Sequence, residues 1–318
     1  MINRRQFLQN SSLAAAASLI STNALFAQYG LIDKVGLGLF SIPKILDTNM
    51  ESAIELMASL GYKEFETFGP YSFSTEKAIA SWAKVTPQLG FSGSGYFGKT
   101  STEFKNIIKA NGITVPSMHT DLDTLSTKMG ALAEAANDLG AKYVVLPAIP
   151  QEERKTLDDY KRLAALFNKI GAEAKKYGIR YAYHNHGYGL KVENGKMPLD
   201  IILDETNPEY VFFEMDLFWT YAGGADAISL LKKHSGRYKM MHIKDMKESK
   251  HFAGSGDNAS DWIPLFPFIA NAGEGIFDLP NIIKTAKENG MEHFFVEQDK
   301  VDHPEIALKK SCAYLRSL

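Results

Sequence analysis

The segment YGIRYAYHN, Tyr177–Asn185, sets a glycine between a helical run and a short strand. Upstream of it, apolar residues recur at Tyr160, Leu163, Phe167, Ile170, Ala174 and Tyr177, the period of a helix that buries one face. Gly178 then stands where a chain leaves a helix through the left-handed region, which glycine enters without a Cβ penalty. Five other segments repeat this order: LGYKEFETF at Gly61, NGITVPSMH at Gly112, LGAKYVVLP at Gly140, SGRYKMMHI at Gly236 and NGMEHFFVE at Gly290. VGLGLF (Val35–Phe40) and YVFFEMD (Tyr210–Asp216) bring the strands to eight. Each is followed by a run compatible with a helix, and no linker rich in Pro, Gly or Ser divides them.

Eight such units predict an α/β fold, a (β/α)8 TIM barrel forming a single domain over residues 29–318, because barrels of this type occupy about 250 residues and more with insertions. A doubly wound open sheet competes, but its nucleotide-binding first turn is rich in glycine, and the turn here reads FSIPKILDTN. Pro116 argues against the third strand, since a strand paired on both sides uses its N–H groups. The two longest connections, Gly69–Thr100 and Met246–Asp278, follow strands two and seven on the C-terminal face, where barrels carry their sites.

Bulk properties narrow the function. The chain has 318 residues, 45% hydrophobic and 23% charged, with a formal net charge of −2, so it offers no electrostatic footprint for nucleic acid or an acidic membrane. Its only cysteine, Cys312, excludes an intrachain disulfide and reads as a small buried apolar residue in the last helix. Residues 1–28 read as an export signal: Arg4 and Arg5, a short alanine-rich core, then small residues at Ala24 and Ala27. The stretch is too short and too weakly apolar to span a bilayer, and NRRQFLQ resembles the twin-arginine export motif. The expectation is a periplasmic protein, exported folded, with no stable membrane insertion once the signal is removed.

Four consecutive strands end in paired ionisable residues: His184-Asn-His186, Glu214-Met-Asp216, His242-Ile-Lys244 and Glu297-Gln-Asp299. Positions i and i+2 share one face of a strand, and the residues two earlier, Ala182, Phe212, Met240 and Phe295, are apolar or small. Inside a barrel these are inward positions climbing from packed core to open mouth. Ionisable groups aimed at one axis are costly to desolvate unless something compensates them. One divalent metal ion (Mn, Zn, Co or Mg) would do so, since it takes imidazole and carboxylate together, and two His, an Asp and a Glu leave it neutral. A buried salt-bridge network, such as Lys244 with Glu214, is the alternative.

In order along the chain, YHNHGYG, FEMDLFWTYAGG, HIKD, NAGEGIFDLPNII and VEQD resemble the xylose-isomerase-like TIM barrels, the sugar isomerase/epimerase superfamily. The resemblance covers essentially the whole chain after the signal. It implies a metal held by an acid on strand five, Asp on six, His on seven and Glu on eight. That places ligands at Asp216, His242 and Glu297, with His184 where the family usually has Glu. It also implies a small-molecule carbohydrate as ligand, and Glu297 as the base that removes the proton beside the carbonyl of a keto-sugar. Epimerases of the superfamily resemble one another in using two metal-bound glutamates, so His184 leaves that pair incomplete. The main expectation is a metal-dependent isomerase/epimerase-like enzyme with one strong base. A keto-glycoside lyase or hydratase working by β-elimination is the first alternative, because His-Asn-His variants look like the branch that includes sugar dehydratases and keto-glycoside lyases. A non-catalytic sugar-binding barrel is the alternative of another class.

On that reading His186 is the second proton carrier, Lys244 the partner of a developing oxyanion, and Glu214 the group that orients Lys244. His119 and Glu66, ending strands three and two, are candidates for sugar hydroxyls, and Trp219 for stacking on a sugar face. Glu274 is expected to organise the loop NAGEGIFD. No arginine cluster announces a phosphate clamp, which favours an unphosphorylated sugar. Whether the chain forms a homo-oligomer stays open.

GSGYFGKT, Gly93–Thr100, fits the P-loop pattern G-x-x-x-x-G-K-[ST], but VTPQLGFS before it is a poor strand, and a working P-loop needs one there. Tyr96 and Phe97 are read instead as a loop lid over the sugar. Abasic-site endonucleases share the expected fold, yet they resemble multi-zinc barrels with a basic face, and this chain has neither pattern.

Overall fold

The computed structural model describes residues 30–193, 195–300 and 303–318; the signal expected at 1–28 lies outside them. All eight expected strands form: β1 Val35–Gly38, β2 Glu64–Phe68, β3 Thr114–His119, β4 Tyr143–Leu146, β5 Arg180–Asn185, β6 Val211–Asp216, β7 Tyr238–Ile243 and β8 His293–Val296. They pair in parallel in chain order, and β8 closes on β1 through Val35–Phe294, Gly36–Phe295 and Leu37–Val296, so the barrel has no free edge. The glycines that launch the strands, Gly61, Gly112, Gly140, Gly178, Gly236 and Gly290, all take φ between +66° and +107°. Helix Leu157–Lys176 opens on a capping box, Thr156 with Asp159, and buries Tyr160, Leu163, Phe167, Ile170 and Ala174. Tyr177 departs from the expected stripe: it caps the helix and is 45% exposed.

Pro116 is accommodated by a change of register. Glu64 pairs with Thr114 but Glu66 with Ser117, so β3 carries one extra residue at this point. A bulge leaves an N–H unpaired, and proline has none to lose. The Pro116 carbonyl still accepts from the Lys142 N–H at 2.9 Å, which keeps β4 in place.

The barrel interior is filled by Tyr143, Val145, Ala182, Phe212, Met240 and Phe295. Four of these are the residues that stand two positions before the ionisable pairs, so the inward face reads as the alternation predicts. Glu76–Leu89, within the loop after β2, is a helix that absorbs VTPQL and ends at Gly90. The segment before GSGYFGKT is therefore a helix end, and the strand a P-loop requires is not there. The loop after β7 holds a short helix, Ala259–Trp262, and a 3-10 segment, Ile263–Phe268. It returns to the barrel through an antiparallel pairing of Asp245–Met246 with Ile269–Ala270. Cys312 is buried in helix Pro304–Ser317, and burial pushes its thiol up to about 11. Among the described residues no helix is long and apolar enough to cross a membrane.

Candidate metal centre

Strand register sets acids beside imidazoles. His184 lies opposite Glu214 across β5 and β6, and Asp216 opposite His242 across β6 and β7. Contacts then sort the buried ionisable side chains into two groups. In the lower one, Glu66 Oε2 is 2.5 Å from His242 Nε2 and 2.9 Å from His119 Nε2, while Ser117 donates to Glu66 Oε1. Glu214 Oε2 is 2.8 Å from His119 Nε2 and 2.9 Å from His184 Nδ1. In the upper group, Lys244 Nζ is 2.8 Å from Asp216, 2.5 Å from Glu297 and 2.9 Å from Asp299. His242 Nδ1 reaches Glu297 Oε2 at 2.9 Å, and His184 Nε2 lies 3.8 Å from Asp216 Oδ2. His184 and His242 are thus rungs, each with one ring nitrogen toward the lower group and one toward the upper.

Burial pushes carboxyls up and imidazoles down, and neighbouring charges decide each case. Burial raises Glu66, but His119 and His242 outweigh it and hold the carboxyl below its usual range. Glu214, buried and facing Glu66, is pushed up to about 7. His119 rises to about 9, since Glu66 and Glu214 overcome its burial. Burial opposes the Lys244 ammonium, yet Asp216, Asp299 and Glu297 keep it charged far above its ordinary range. Against its own burial, Glu297 is held ionised by His242 and Lys244. His186 is lowered to about 3, by burial first and then by Lys244.

The ligand atoms of Asp216, His242 and Glu297 lie within 4.8 Å of one another, as do those of His119, His184, Glu214 and His242. Mixed imidazole and carboxylate donors at such spacing fit a divalent first-row cation. The buried cluster could therefore hold the metal that the sequence resemblance implies.

The structure gathers Glu66, His119, His184, Glu214, Asp216, His242, Lys244 and Glu297 in one place, but several roles change. Glu66 and His119 are committed to the lower group and are not free for sugar hydroxyls. Glu214 sits two residues before Asp216 and pairs with His119 and His184; it does not orient Lys244, whose partners are Asp216, Glu297 and Asp299. Trp219 is 1% exposed. Helix Leu217–Ala222 begins directly after β6, so its backbone N–H caps on Asp216 Oδ1 at 3.0 Å and its ring stacks on Phe252 at 5.7 Å. That makes it a strut of the loop and leaves no open face for a sugar. Tyr96 packs against Tyr71 and Phe104, and Phe97 edge-on against Phe68, so both brace their own loop and are not gathered with the cluster.

His186 is half-buried, 4.8 Å from the His184 ring and stacked at 5.0 Å on Trp262. Trp262 escapes sequence reasoning because it comes from the long loop; the aromatic run DWIPLFPF is the signal that could have flagged it. Arg154 is a second omission. Its guanidinium lies 3.5 Å over the Tyr188 ring and pairs with Asp257, tying the loop after β4 to the loop after β7. Glu274 does not organise NAGEGIFD by itself. It accepts from Asn271 and Lys310, whereas buried Asp245 receives the N–H groups of Gly273, Gly275 and Phe277.

Known proteins agree with this architecture. Residues 54–318 match the family model of the xylose isomerase-like TIM barrel. The chain is similar to an inosose dehydratase of Clostridium perfringens, 29% identical over 158 residues, 47% of this chain and 50% of that protein. The match thus spans about half the length of that relative. The fold superposes on a sugar phosphate isomerase/epimerase from Parabacteroides distasonis with a TM-score of 0.67 at 23% identity, covering 89% of this chain and 93% of that one. It also superposes on the IOLI protein with a bound zinc atom, with a TM-score of 0.63 at 17% identity, covering 89% and 98%. At those identities the superpositions speak for the fold alone. With a closed eight-stranded barrel and a family match that runs to its last residue, the chain belongs to the xylose isomerase-like TIM barrel family.

Proposed function

We propose that the protein is a divalent-cation-dependent lyase acting on an unphosphorylated keto-sugar or oxidised glycoside. It removes the proton beside the keto group and expels the oxygen substituent on the next carbon, as water or as an alcohol. The observation that carries this reading is the asymmetry of the centre. One side ends in carboxylates, Glu297 and Asp299, held by Lys244; the other ends in two imidazoles, His184 and His186. Epimerisation calls for two equivalent bases on opposite faces. An unlike pair suits a proton taken on one side and a leaving oxygen assisted on the other. The dehydratase name of the curated relatives points the same way.

Asp216, His242 and Glu297 would hold the cation, which when bound supplies Lewis-acid polarisation of the keto oxygen. Glu297 has one oxygen pinned by His242 and Lys244, while Oε1 faces Gly38, where an added Cβ would stand at 3.2 Å and crowd it. Glu297 takes the α-proton; the electron pair left on carbon becomes the new C=C bond as the adjacent C–O bond breaks. The Lys244 ammonium stabilises the negative charge that develops on the keto oxygen. His186 is held neutral and donates an N–H hydrogen bond to the departing oxygen, as a neutral imidazole can, and the proton taken up by Glu297 passes to that oxygen, which leaves as water or alcohol and restores the Glu297 carboxylate. Trp262, lying flat on His186, limits water at that side.

The test incubates cation-loaded protein in D₂O with a panel of keto-sugars and keto-glycosides, followed by NMR. Loss of water or aglycone with a new olefinic signal supports the proposal. Deuterium on an unchanged or rearranged sugar skeleton would turn the assignment to isomerase or epimerase. No exchange with any member would favour a sugar-binding barrel.

A further inference from the structure

We infer that the N-terminal mouth of the barrel, at the opposite end from the metal centre, binds a tetrahedral oxyanion of the phosphate class. Lys34 and Lys287 hold it, and Arg180 and Lys239 add positive field. The site is independent of the chemistry proposed for the centre.

A cavity of about 230 Å³ opens there, where the chain enters β1 and where it leaves helix Leu279–Glu288 for β8. Asp33, Lys34, Glu64, Lys287 and Glu292 bring charge to its wall, and Ile32 and Phe294 back it. It lies on the seam where β8 closes on β1. The Arg180 guanidinium stands 5.1 Å from the Phe212 ring and the Lys239 ammonium 5.9 Å from it, so these two cations close the barrel interior from beneath.

Ion pairs join the charged groups into one set: Lys287 with Asp33, Lys34 with Glu64, and Lys142, Arg180 and Lys239 with Glu292. Among the described residues that sets five cations against three carboxylates, with His293 counted neutral. The surplus is two positive charges, which one doubly charged oxyanion cancels.

Hydrogen-bond donors remain as well as charge. Lys34 stands 3.9 Å from Glu64, Lys287 3.8 Å from Asp33, and Arg180 and Lys239 each 3.6 Å from Glu292. All four separations are too long for a hydrogen bond. An ammonium has three N–H groups and a guanidinium five. Lys239 uses one on the Gly290 carbonyl at 3.1 Å, and Arg180 one on the Tyr143 hydroxyl at 3.0 Å. The carboxylates that would repel an anion are already engaged, Glu64 by His293 Nδ1 at 2.7 Å and Glu292 by the Lys142 ammonium. Burial raises the Glu292 carboxyl, yet Lys142 and Lys239 outweigh it and hold it below its ordinary value, the mark of a positive local potential.

The test titrates the full chain with inorganic phosphate by isothermal calorimetry, at an ionic strength held constant with chloride. One saturable equivalent is expected. Lys34→Gln combined with Lys287→Gln should weaken binding about tenfold or more, since two charge-assisted contacts are lost. Should that variant fail to fold, Lys34→Gln alone, at a side chain 55% exposed, carries the comparison. Asp216→Asn should bind phosphate as the wild type does. A parallel titration with glycerol phosphate separates the sources: equal affinity assigns the site to phosphate esters, and exclusion assigns it to the free anion. Phosphate also stabilises folded proteins by exclusion from their surface, without saturation. A melting temperature that rises without a saturable heat therefore overturns the inference. So does a folded lysine variant that binds as the wild type does. Binding lost in Asp216→Asn and kept in the lysine variant would put the anion on the cation of the metal centre, which also overturns it.

Discussion

The Lys244 ammonium stands 2.5 Å from Oε2 of Glu297, the carboxylate proposed to take the substrate proton. Asp216 and Asp299 complete its cage. Lys244→Met removes the ammonium that three buried carboxylates share. The cation-free variant should lose about 3–5 kcal/mol of stability, the scale of a broken buried ion pair. Added divalent cation should restore much of the melting temperature, but turnover should stay lower by roughly 100-fold or more, since the oxyanion partner is gone. Thermal melts with and without cation, set beside kcat, separate the two effects. An unchanged melt in cation-free buffer would deny the cage any weight.

Gly275 is required by contact. A Cβ there would stand 2.2 Å from Asp245 Oδ1 and 2.5 Å from the Met246 carbonyl, in the turn where Asp245 gathers three backbone N–H groups. Gly275→Ala should cost about 1–3 kcal/mol as an overpacked site. The check is a lowered urea midpoint at unchanged m-value.

Arg154 ties two loops over the centre. It donates to the Asp257 carboxylate and to the Ile149 carbonyl at 3.0 Å, and it lies over Tyr188, which together with His186 stacks on Trp262. Arg154→Met should loosen the segment from 251 to 262 without unfolding the barrel. Limited proteolysis should then cut there first, and KM should rise more than kcat falls. Wild-type proteolysis would mean the segment is held by its aromatic contacts alone.

His186 supplies a pH dependence of known sign. Its folded-state value is lowered to about 3, by burial and by Lys244, whereas an unfolded imidazole takes its proton near 6.5. The native state refuses that proton, so the contribution is full above about 6.5 and is lost as pH falls toward 3. His186→Gln should be less acid-sensitive than the wild type when urea midpoints at about pH 7 and pH 4.5 are compared. An equal fall in both would show that carboxylate protonation accounts for all the acid loss.

The barrel was legible because its signals are local. A glycine after each helical run and ionisable residues at i and i+2 survive any uncertainty about strand pairing. Partners were not legible, since register decides them. Lys244 and Glu214 look well matched on adjacent strands, yet Lys244 meets Asp216 because Asp216, not Glu214, pairs with His242. Pro116 looked unfavourable until the extra residue in β3 gave it a place. Trp219 belongs to the loop packing and not to an open sugar face because the helix starting directly after β6 turns it there, which no residue pattern announces. Trp262 and Arg154 come from irregular loops, where no period points inward.

Anomalous diffraction from crystals grown with Mn²⁺ tests the proposed cation most directly. A peak bounded by the Asp216 and Glu297 carboxylates and His242 Nδ1, absent in crystals of Asp216→Asn, is the predicted result. Crystals of active protein with no anomalous density among those three side chains would contradict it.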